Sequence, residues 1–225
     1  AALAFVTLNM GFFTTQKSKE AMSSSLEEAS TALEVDGSVL GNVSTVSNVR
    51  KVVAVAIPLK TSSGKNPVDL IKVAISIKTP NDAAIYSIQD VALIVDDSKL
   101  YLYNTSTDTW NSFTGTIEVG SNKYNFTIFD NPFKTFANVT ETVGDAIENG
   151  AKGIQKPKVL FIEYQGDGDT LLEVNEKWIV VMNTTSLNLQ AYVVFTAEIK
   201  PPSGAPLTVE RMVPAQLSDA IITFE

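Results

Sequence analysis

Apolar positions at the start of the chain follow a helical period. Between Ala1 and Phe13 nearly every side chain is apolar, and no proline interrupts the run. Further on, apolar residues recur at steps of three and four, which places them on one face of a helix; they are Met22, Leu26, Ala29 and Leu33. The Asp36-Gly37 pair then supplies a stop. The pattern predicts one continuous helix from near Ala1 to near Val35, roughly 50 Å long.

After Gly41 the pattern changes to short apolar, β-branched runs that are closed by turn residues. Eight such runs predict strands at 52–57, 73–77, 91–95, 100–103, 123–129, 159–164, 178–182 and 191–199. A short helix is predicted at 136–147. Many short strands at close spacing favour a β-sandwich or barrel.

The predicted fold class is therefore α+β, with a long N-terminal α-helix followed by an all-β sandwich or barrel head. The predicted domains are an N-terminal polymerisation helix at 1–37 and a head domain at 38–225, with a hinge at Gly37 to Gly41.

The first part of this helix is apolar on all sides, so it must be enclosed by neighbours. Its apolar opening is shorter than the about 20 residues that span a bilayer, and it lacks the charged start of a secretory signal. We expect it to be what remains of a longer segment after processing or truncation upstream. A bundle of identical helices would enclose it, and a heterologous contact that does not close makes a filament. Membrane insertion is the competing hypothesis.

Composition limits the chemistry of the chain. It contains no Cys and no His, which removes thiol and imidazole nucleophiles and the usual zinc ligands. The net charge of −8 argues against a nucleic-acid partner. Carboxylates are plentiful, but no spacing singles out a catalytic pair. We therefore expect a protein that is not an enzyme and has no cofactor.

Two motifs bear on surface chemistry. Five Asn-x-Ser/Thr sequons predict candidate N-glycosylation at Asn42, Asn104, Asn125, Asn138 and Asn183. The acidic stretch Gly166-Asp167-Gly168-Asp169 could bind Ca²⁺, but it lacks the EF-hand pattern. A hairpin turn is the better interpretation, so no metal is predicted.

Both ends of the chain resemble archaeal flagellins, or archaellins. The stretch from Ala1 to Lys17 is similar to the latter part of the family's apolar helix. Near the other end, Glu173 to Trp178 leads into a strand, and Lys200 to Arg211 with Val213-Pro214 resembles the family's closing signature. The resemblance covers roughly a third of the chain.

The resemblance implies that the predicted N-terminal helix is type IV pilin-like, and that the chain is a subunit that polymerises into the archaeal flagellum, or archaellum, filament for swimming motility. It implies an extracellular location, commonly N-glycosylated heads, and a membrane-embedded assembly platform during export. The partners would be copies of the same chain in a helical homopolymer, alone or with related flagellins, and no nucleic acid.

The predicted polymerisation core consists of Leu3, Phe5, Val6, Leu8, Met10, Phe12, Phe13, Met22, Leu26 and Leu33. The nearest alternative is an archaeal adhesion pilin built on the same helix and head. An alternative from another class is a membrane-anchored, ligand-binding β-domain.

Overall fold

The computed structural model describes residues 33–62 and 66–224. Within these ranges the chain forms seventeen strands, two 3₁₀ turns at Leu70–Lys72 and Ile88–Asp90, and one α-helix, α1, at Pro132–Glu148. The strands are β1 (Leu33–Val35), β2 (Val39–Val46), β3 (Val49–Thr61), β4 (Val68–Asp69), β5 (Ala74–Lys78), β6 (Ala83–Tyr86), β7 (Val91–Val95), β8 (Lys99–Asn104), β9 (Thr109–Thr114), β10 (Thr116–Val119), β11 (Asn122–Asn125), β12 (Val159–Gln165), β13 (Leu171–Leu172), β14 (Lys177–Asn183), β15 (Val194–Lys200), β16 (Leu207–Met212) and β17 (Ile221–Phe224).

Two sheets organise the described residues. The large sheet runs in the order β17-β2-β3-β14-β12-β7-β8-β9, and β1 pairs with β3 beyond the end of β2. The small sheet runs in the order β16-β15-β5-β6. A β10-β11 hairpin and a short β4-β13 pair stand apart from both. In the large sheet β7 and β12 are parallel, and α1 lies in the crossover that connects them.

The large sheet is buried on both faces, which makes the fold three-layered. On one face Ile57, Leu93 and Phe161 pack with the small sheet in a single apolar core. On the other face alternate residues, among them Ile94 and Leu160, pack with α1 and the β10-β11 hairpin. Strands buried on both faces need unbroken apolar runs, as in β7, where all five residues are buried.

Helix α1 has local signals at both ends. The side chain of Asn131 accepts hydrogen bonds from the backbone amides of Phe133, at 2.9 Å, and Lys134, at 3.3 Å, and Pro132 opens the first turn. The helix ends before Gly150, whose φ of 105° lies in the left-handed region. Its buried face is apolar at steps of three and four; it includes Phe133, Phe136, Val139, Val143 and Ala146. The predicted helix at 136–147 lies inside α1.

The predicted α+β class with a long N-terminal helix is wrong for the described residues, which are dominated by strands and contain the single helix α1. The helix predicted to run to near Val35 cannot do so, because Leu33–Val35 is strand β1 and pairs with Leu59 to Thr61 of β3. Strand pairing in the head overrides the local helical spacing of Leu33. Residues 1–32, on which the rest of that prediction falls, lie outside the described residues. In the part of the chain that is described, no helix is long and apolar enough to cross a bilayer.

Candidate functional site

Most of the predicted polymerisation core, from Leu3 through Leu26, lies outside the described residues. Leu33 is the member that the structure describes. It is only 4% exposed and belongs to the apolar core between the two sheets. Its side chain therefore contributes to the packing of the head itself.

Asp36, which directly follows β1, ties the start of the described chain to the large sheet. Its carboxylate lies 2.8 Å from the Lys177 ammonium and 3.3 Å from the Lys60 ammonium, and its backbone amide donates to the carbonyl of Pro58. The hydrogen bonds from Lys177 and Lys60 lower the pKa of Asp36, and Asp36 in turn raises the pKa of Lys177. The residues that follow β1 are thus tied to β3 and to β14.

Three of the five sequon asparagines lie on the helix-facing side of the large sheet. Each stands two positions from a strand residue that packs in the helix-side core: Asn42 from Leu40, Asn104 from Leu102, and Asn183 from Val181. Because side chains alternate along a strand, each asparagine shares the face of that residue. The register of Asn183 with Ala54, another member of the helix-side core, agrees with this.

The other two sequon asparagines belong to the helix layer itself. Asn125 ends the hairpin strand β11 and is exposed, and Asn138 lies on α1. All five acceptors therefore lie on one side of the head, and none lies on the small sheet. The sequence could not predict this common side, because it depends on the sheet order.

Where the sequon asparagines make side-chain hydrogen bonds to the described chain, they do so through the oxygen Oδ1 and not through the nitrogen Nδ2. The side-chain oxygen Oδ1 of Asn104 accepts a hydrogen bond from the backbone amide of Ser106, and Oδ1 of Asn138 accepts one from the backbone amide of Thr127 at 2.6 Å. Within 33–62 and 66–224, the Nδ2 of each of the five asparagines donates no hydrogen bond to the protein. Nδ2 is the atom that carries the sugar in an N-glycan, so the contacts of these side chains leave it available.

The acidic stretch at 166–169 forms a compact loop held by two buried glutamates. Glu163 accepts hydrogen bonds from the backbone amides of Asp96, at 2.6 Å, and Gly168, at 3.0 Å. Glu176 accepts from the amides of Asp167, at 3.2 Å, and Glu173, at 2.9 Å. Both carboxylates thus fasten the loop to neighbouring segments of the head.

The carboxylate oxygens of Glu163, Asp167 and Glu176 also lie within 4.8 Å of one another. Burial raises the pKa of Glu176, as do the charges of Asp167 and Asp169, although the backbone hydrogen bonds act in the opposite direction. Of the described residues, these three form the group that could hold a metal ion. The hydrogen bonds already account for the two buried carboxylates, so we assign no metal.

These features define a class of protein. A β-rich domain with glycosylation motifs on one side, preceded in the sequence by an apolar stretch from Ala1 to Phe13, has the features of a surface filament subunit. The model of the archaeal-type flagellin family matches residues 1–211. "Probable flagellin 1" of Aeropyrum pernix is 37% identical over 220 residues, which cover 96% of this chain and 84% of that protein.

Two solved structures share the fold. The archaeal flagellin FlaB1 of Methanocaldococcus jannaschii superposes with a TM-score of 0.54 at 12% identity, covering 86% of this chain and 96% of that one. The archaeal flagellum of Methanospirillum hungatei superposes with a TM-score of 0.52 at 17% identity, covering 100% of this chain and 88% of that one.

The chain belongs to the archaeal-type flagellin family. It is a structural subunit of the archaellum filament, acts in swimming motility and is located outside the cell at the cell surface. The predicted resemblance and function are confirmed, and its partners in the polymer are further subunits.

Proposed function

We propose that residues 1–32 are the polymerisation segment of this filament subunit and that the described β-rich domain is its surface head. The apolar stretch from Ala1 to Phe13 supports this. Burial of its surface against neighbouring subunits would stabilise the assembly by about 25 cal/mol for each Å² of apolar area removed from water. The predicted division between 37 and 38 stays a prediction, and strand β1 favours a boundary just before Leu33. The candidate contacts are Leu3, Phe5, Val6, Leu8, Met10, Phe12, Phe13, Met22 and Leu26.

The experiment is a charge placed in the segment. Leu8→Asp should abolish filaments while the head still folds, because a carboxylate cannot be enclosed in an apolar bundle without a partner. The control is Val49→Asp, an exposed position on β3 of the head, which should leave assembly intact. Electron microscopy of material sheared from cells measures assembly, and circular dichroism of the purified chains measures folding. Normal filaments from Leu8→Asp would contradict the proposed core.

A chain that begins at Leu33 should give monodisperse, folded particles. A chain that begins at Val39 would lose β1 and the Asp36 ion pairs with Lys60 and Lys177, so it is the wrong truncation for this test. Folded monomers from the first chain and filaments from the full chain would assign polymerisation to residues 1–32. Filaments from the chain that begins at Leu33 would refute the proposal.

We propose further that the sequon side of the head carries N-glycans. The common side of Asn42, Asn104, Asn125, Asn138 and Asn183 supports this, since bulky polar glycans would there project from one side only. Glycopeptide mass spectrometry of sheared filaments tests the proposal. Unmodified peptides at all five asparagines would refute it.

We also propose that the subunit passes through a membrane-embedded assembly platform during export, that it assembles alone or with related flagellins, and that it has no catalytic role. Membership in a family of structural subunits supports the last point. Cross-linking of newly made chains in cell membranes tests the platform. It should link the subunit to integral membrane proteins, and the same treatment of mature filaments should not.

A further inference from the structure

Two opposite edges of the small sheet carry exposed apolar side chains. At the β6 edge, Ile85 is 84% exposed, and Ile88 follows in the adjoining 3₁₀ turn at 45%. Among the described strands, β6 pairs only with β5, so its other edge is open. We name Ile85 and Ile88 the β6 patch. An isoleucine this exposed on an open strand edge is a ready contact for another chain.

The second group lies at the β16 edge, where Tyr192 is 67% exposed and Met212 is 54% exposed. Met212 pairs in register with Val194, and the Tyr192 amide donates to the carbonyl of Val213, so Tyr192 and Met212 are neighbours. We name these two residues the β16 patch. Tyr192 also has a φ of 67°, an uncommon conformation for a bulky residue. The backbone is thus held in a costly conformation while the aromatic ring faces solvent.

The outer face of the small sheet is the face that points away from the apolar core between the two sheets. Its charged residues differ in sign between the two edges. Along β5 and β6 this face carries a single charged residue, the exposed Lys78, which is a diagonal neighbour of Ile85. Along β16 it carries a single charged residue, the exposed Glu210, two positions from Met212. Neither forms an ion pair with another described residue. On this face the charge next to Ile85 is therefore positive and the charge next to Met212 is negative. The strand β15 between them carries one charge of each sign, at Glu198 and Lys200.

The placement on opposite edges decides the symmetry of the contact. If one patch met its own copy, the contact would close at a dimer. If the β6 patch of one subunit meets the β16 patch of the next, each end of the assembly keeps one free patch and growth continues. An open contact of this kind is what a helical filament requires. No sequon lies on the small sheet, so glycans at the five candidate asparagines would leave this face free.

We infer that neighbouring heads in the filament contact each other through opposite edges of the small sheet. Ile85 of one copy packs against Tyr192 and Met212 of the next copy, and Lys78 faces Glu210 across the same contact. The inference rests on the filament function, and it adds the head surfaces that join subunits outside the polymerisation segment.

The absence of Cys from the chain allows a clean cross-linking test. The full chain is expressed in a motile archaeal host without its own subunit, with Ile85→Cys and Met212→Cys together. Sheared filaments, confirmed by electron microscopy, are treated with a short bis-maleimide and separated under denaturing conditions. The heterologous contact should give a ladder of dimers, trimers and higher species. Each single-Cys variant should stay monomeric.

Other outcomes in assembled filaments overturn the inference. Monomers from the double variant would mean that the edges do not meet, although the filament function would stand. Dimers from Ile85→Cys alone would mean that the β6 edge meets its own copy. A control pair, Val49→Cys with Met212→Cys, places one thiol on an exposed position of β3 and should give no ladder.

A second pair keeps the test decisive if the first variant does not assemble. Ala83→Cys with Glu210→Cys changes the same two regions of the small sheet at other positions and should give the same ladder. Charge reversal supplies an independent measurement. Lys78→Glu and Glu210→Lys should each lower the temperature at which filaments dissociate, and the double reversal should recover most of the loss. Additive losses in the double variant would contradict a contact between Lys78 and Glu210.

Discussion

The ammonium of Lys177 lies 2.8 Å from the carboxylate of Asp36, the residue that directly follows strand β1. Lys60 contacts the other oxygen of the same carboxylate. One acidic side chain therefore connects the residues after β1 to two central strands of the large sheet.

Replacing Asp36 by Asn should lower the melting temperature of the head at neutral pH. The decrease should be small, because exposed ion pairs contribute little to stability. The pKa of Asp36 is lowered from 3.8 by Lys177 first and Lys60 second. Because the pKa of Asp36 is lower in the folded chain than in the unfolded chain, its ionised carboxylate stabilises the fold at pH values above the unfolded-state pKa. This contribution is lost as the pH falls through the folded-state pKa. The melting temperatures of the unaltered chain and of Asp36→Asn should therefore differ at neutral pH and become equal in strong acid.

The matched control is Glu34→Gln. The side chain of Glu34 is 50% exposed and reaches Lys60 only at 3.9 Å, so its replacement should change the melting temperature less than Asp36→Asn does. An equal effect of the two substitutions, or a difference that persists in strong acid, would show that the ion pairs of Asp36 do not stabilise the head.

Leu33→Ala should destabilise the head by about 2–5 kcal/mol, the usual cost of truncating an enclosed leucine. Leu33 is 4% exposed and lies in the core between the sheets. Urea titration of depolymerised chain, followed by the fluorescence of buried Trp178, measures the change. Val49→Ala, at an exposed strand position, should stay within about 0.5 kcal/mol. Unchanged stability with lost filaments would instead make Leu33 a contact between subunits.

The strands that the sequence predicts best are those buried on both faces. Val91 to Val95 and Val159 to Ile162 carry their signal in an unbroken apolar run, so no knowledge of neighbours is needed. The predicted strand at 123–129 runs too far, because β11 ends at Asn125 and the chain then leads toward the cap of α1.

Strand β1 and the polar edge strand β9 are not predicted from the sequence, for a different reason. Leu33 continues the helical spacing of Ala29, and only its pairing with Thr61 of the distant β3 makes it part of a strand. In β9 no residue is fully buried, so the apolar alternation that marks a strand is weak. The common side of the sequons and the packing of the acidic loop likewise depend on sheet order, which a local pattern does not contain.

Gly41→Ala should cost about 1–3 kcal/mol, because an added methyl group would overpack the core. A Cβ on Gly41 would lie 2.6 Å from Cζ of Phe224, whose ring is itself packed edge-on against Phe195. Urea titration again measures the change. Gly120→Asn is the control, since a Cβ there meets nothing within 4 Å and Asn tolerates a φ of 62°. Equal stability of both variants would mean that the Phe224 ring moves aside at no cost.

Thr140→Val should abolish glycosylation at Asn138 without weakening the head. Thr140 supplies the hydroxyl of the Asn138 sequon, and this oxygen is buried with no hydrogen-bond partner in the described chain. Valine matches the shape of threonine, so the change removes a buried, unpaired polar atom. Removing such an atom leaves stability unchanged or raises it by about 1–3 kcal/mol. Glycopeptide mass spectrometry and urea titration measure the two effects separately.

Thr142→Val is the matched control on the same helix. Thr142 is also buried, but its hydroxyl donates to the carbonyl of Asn125 at 3.2 Å, and it belongs to no sequon. Its replacement should lower the unfolding free energy by about 1 kcal/mol and leave the glycan at Asn138 in place. Thr140→Ser should keep both the glycan and the fold, because serine preserves the acceptor motif. If Thr140→Val destabilised the head as much as Thr142→Val does, the Thr140 hydroxyl would have a structural partner, and loss of the glycan could no longer be separated from loss of the fold.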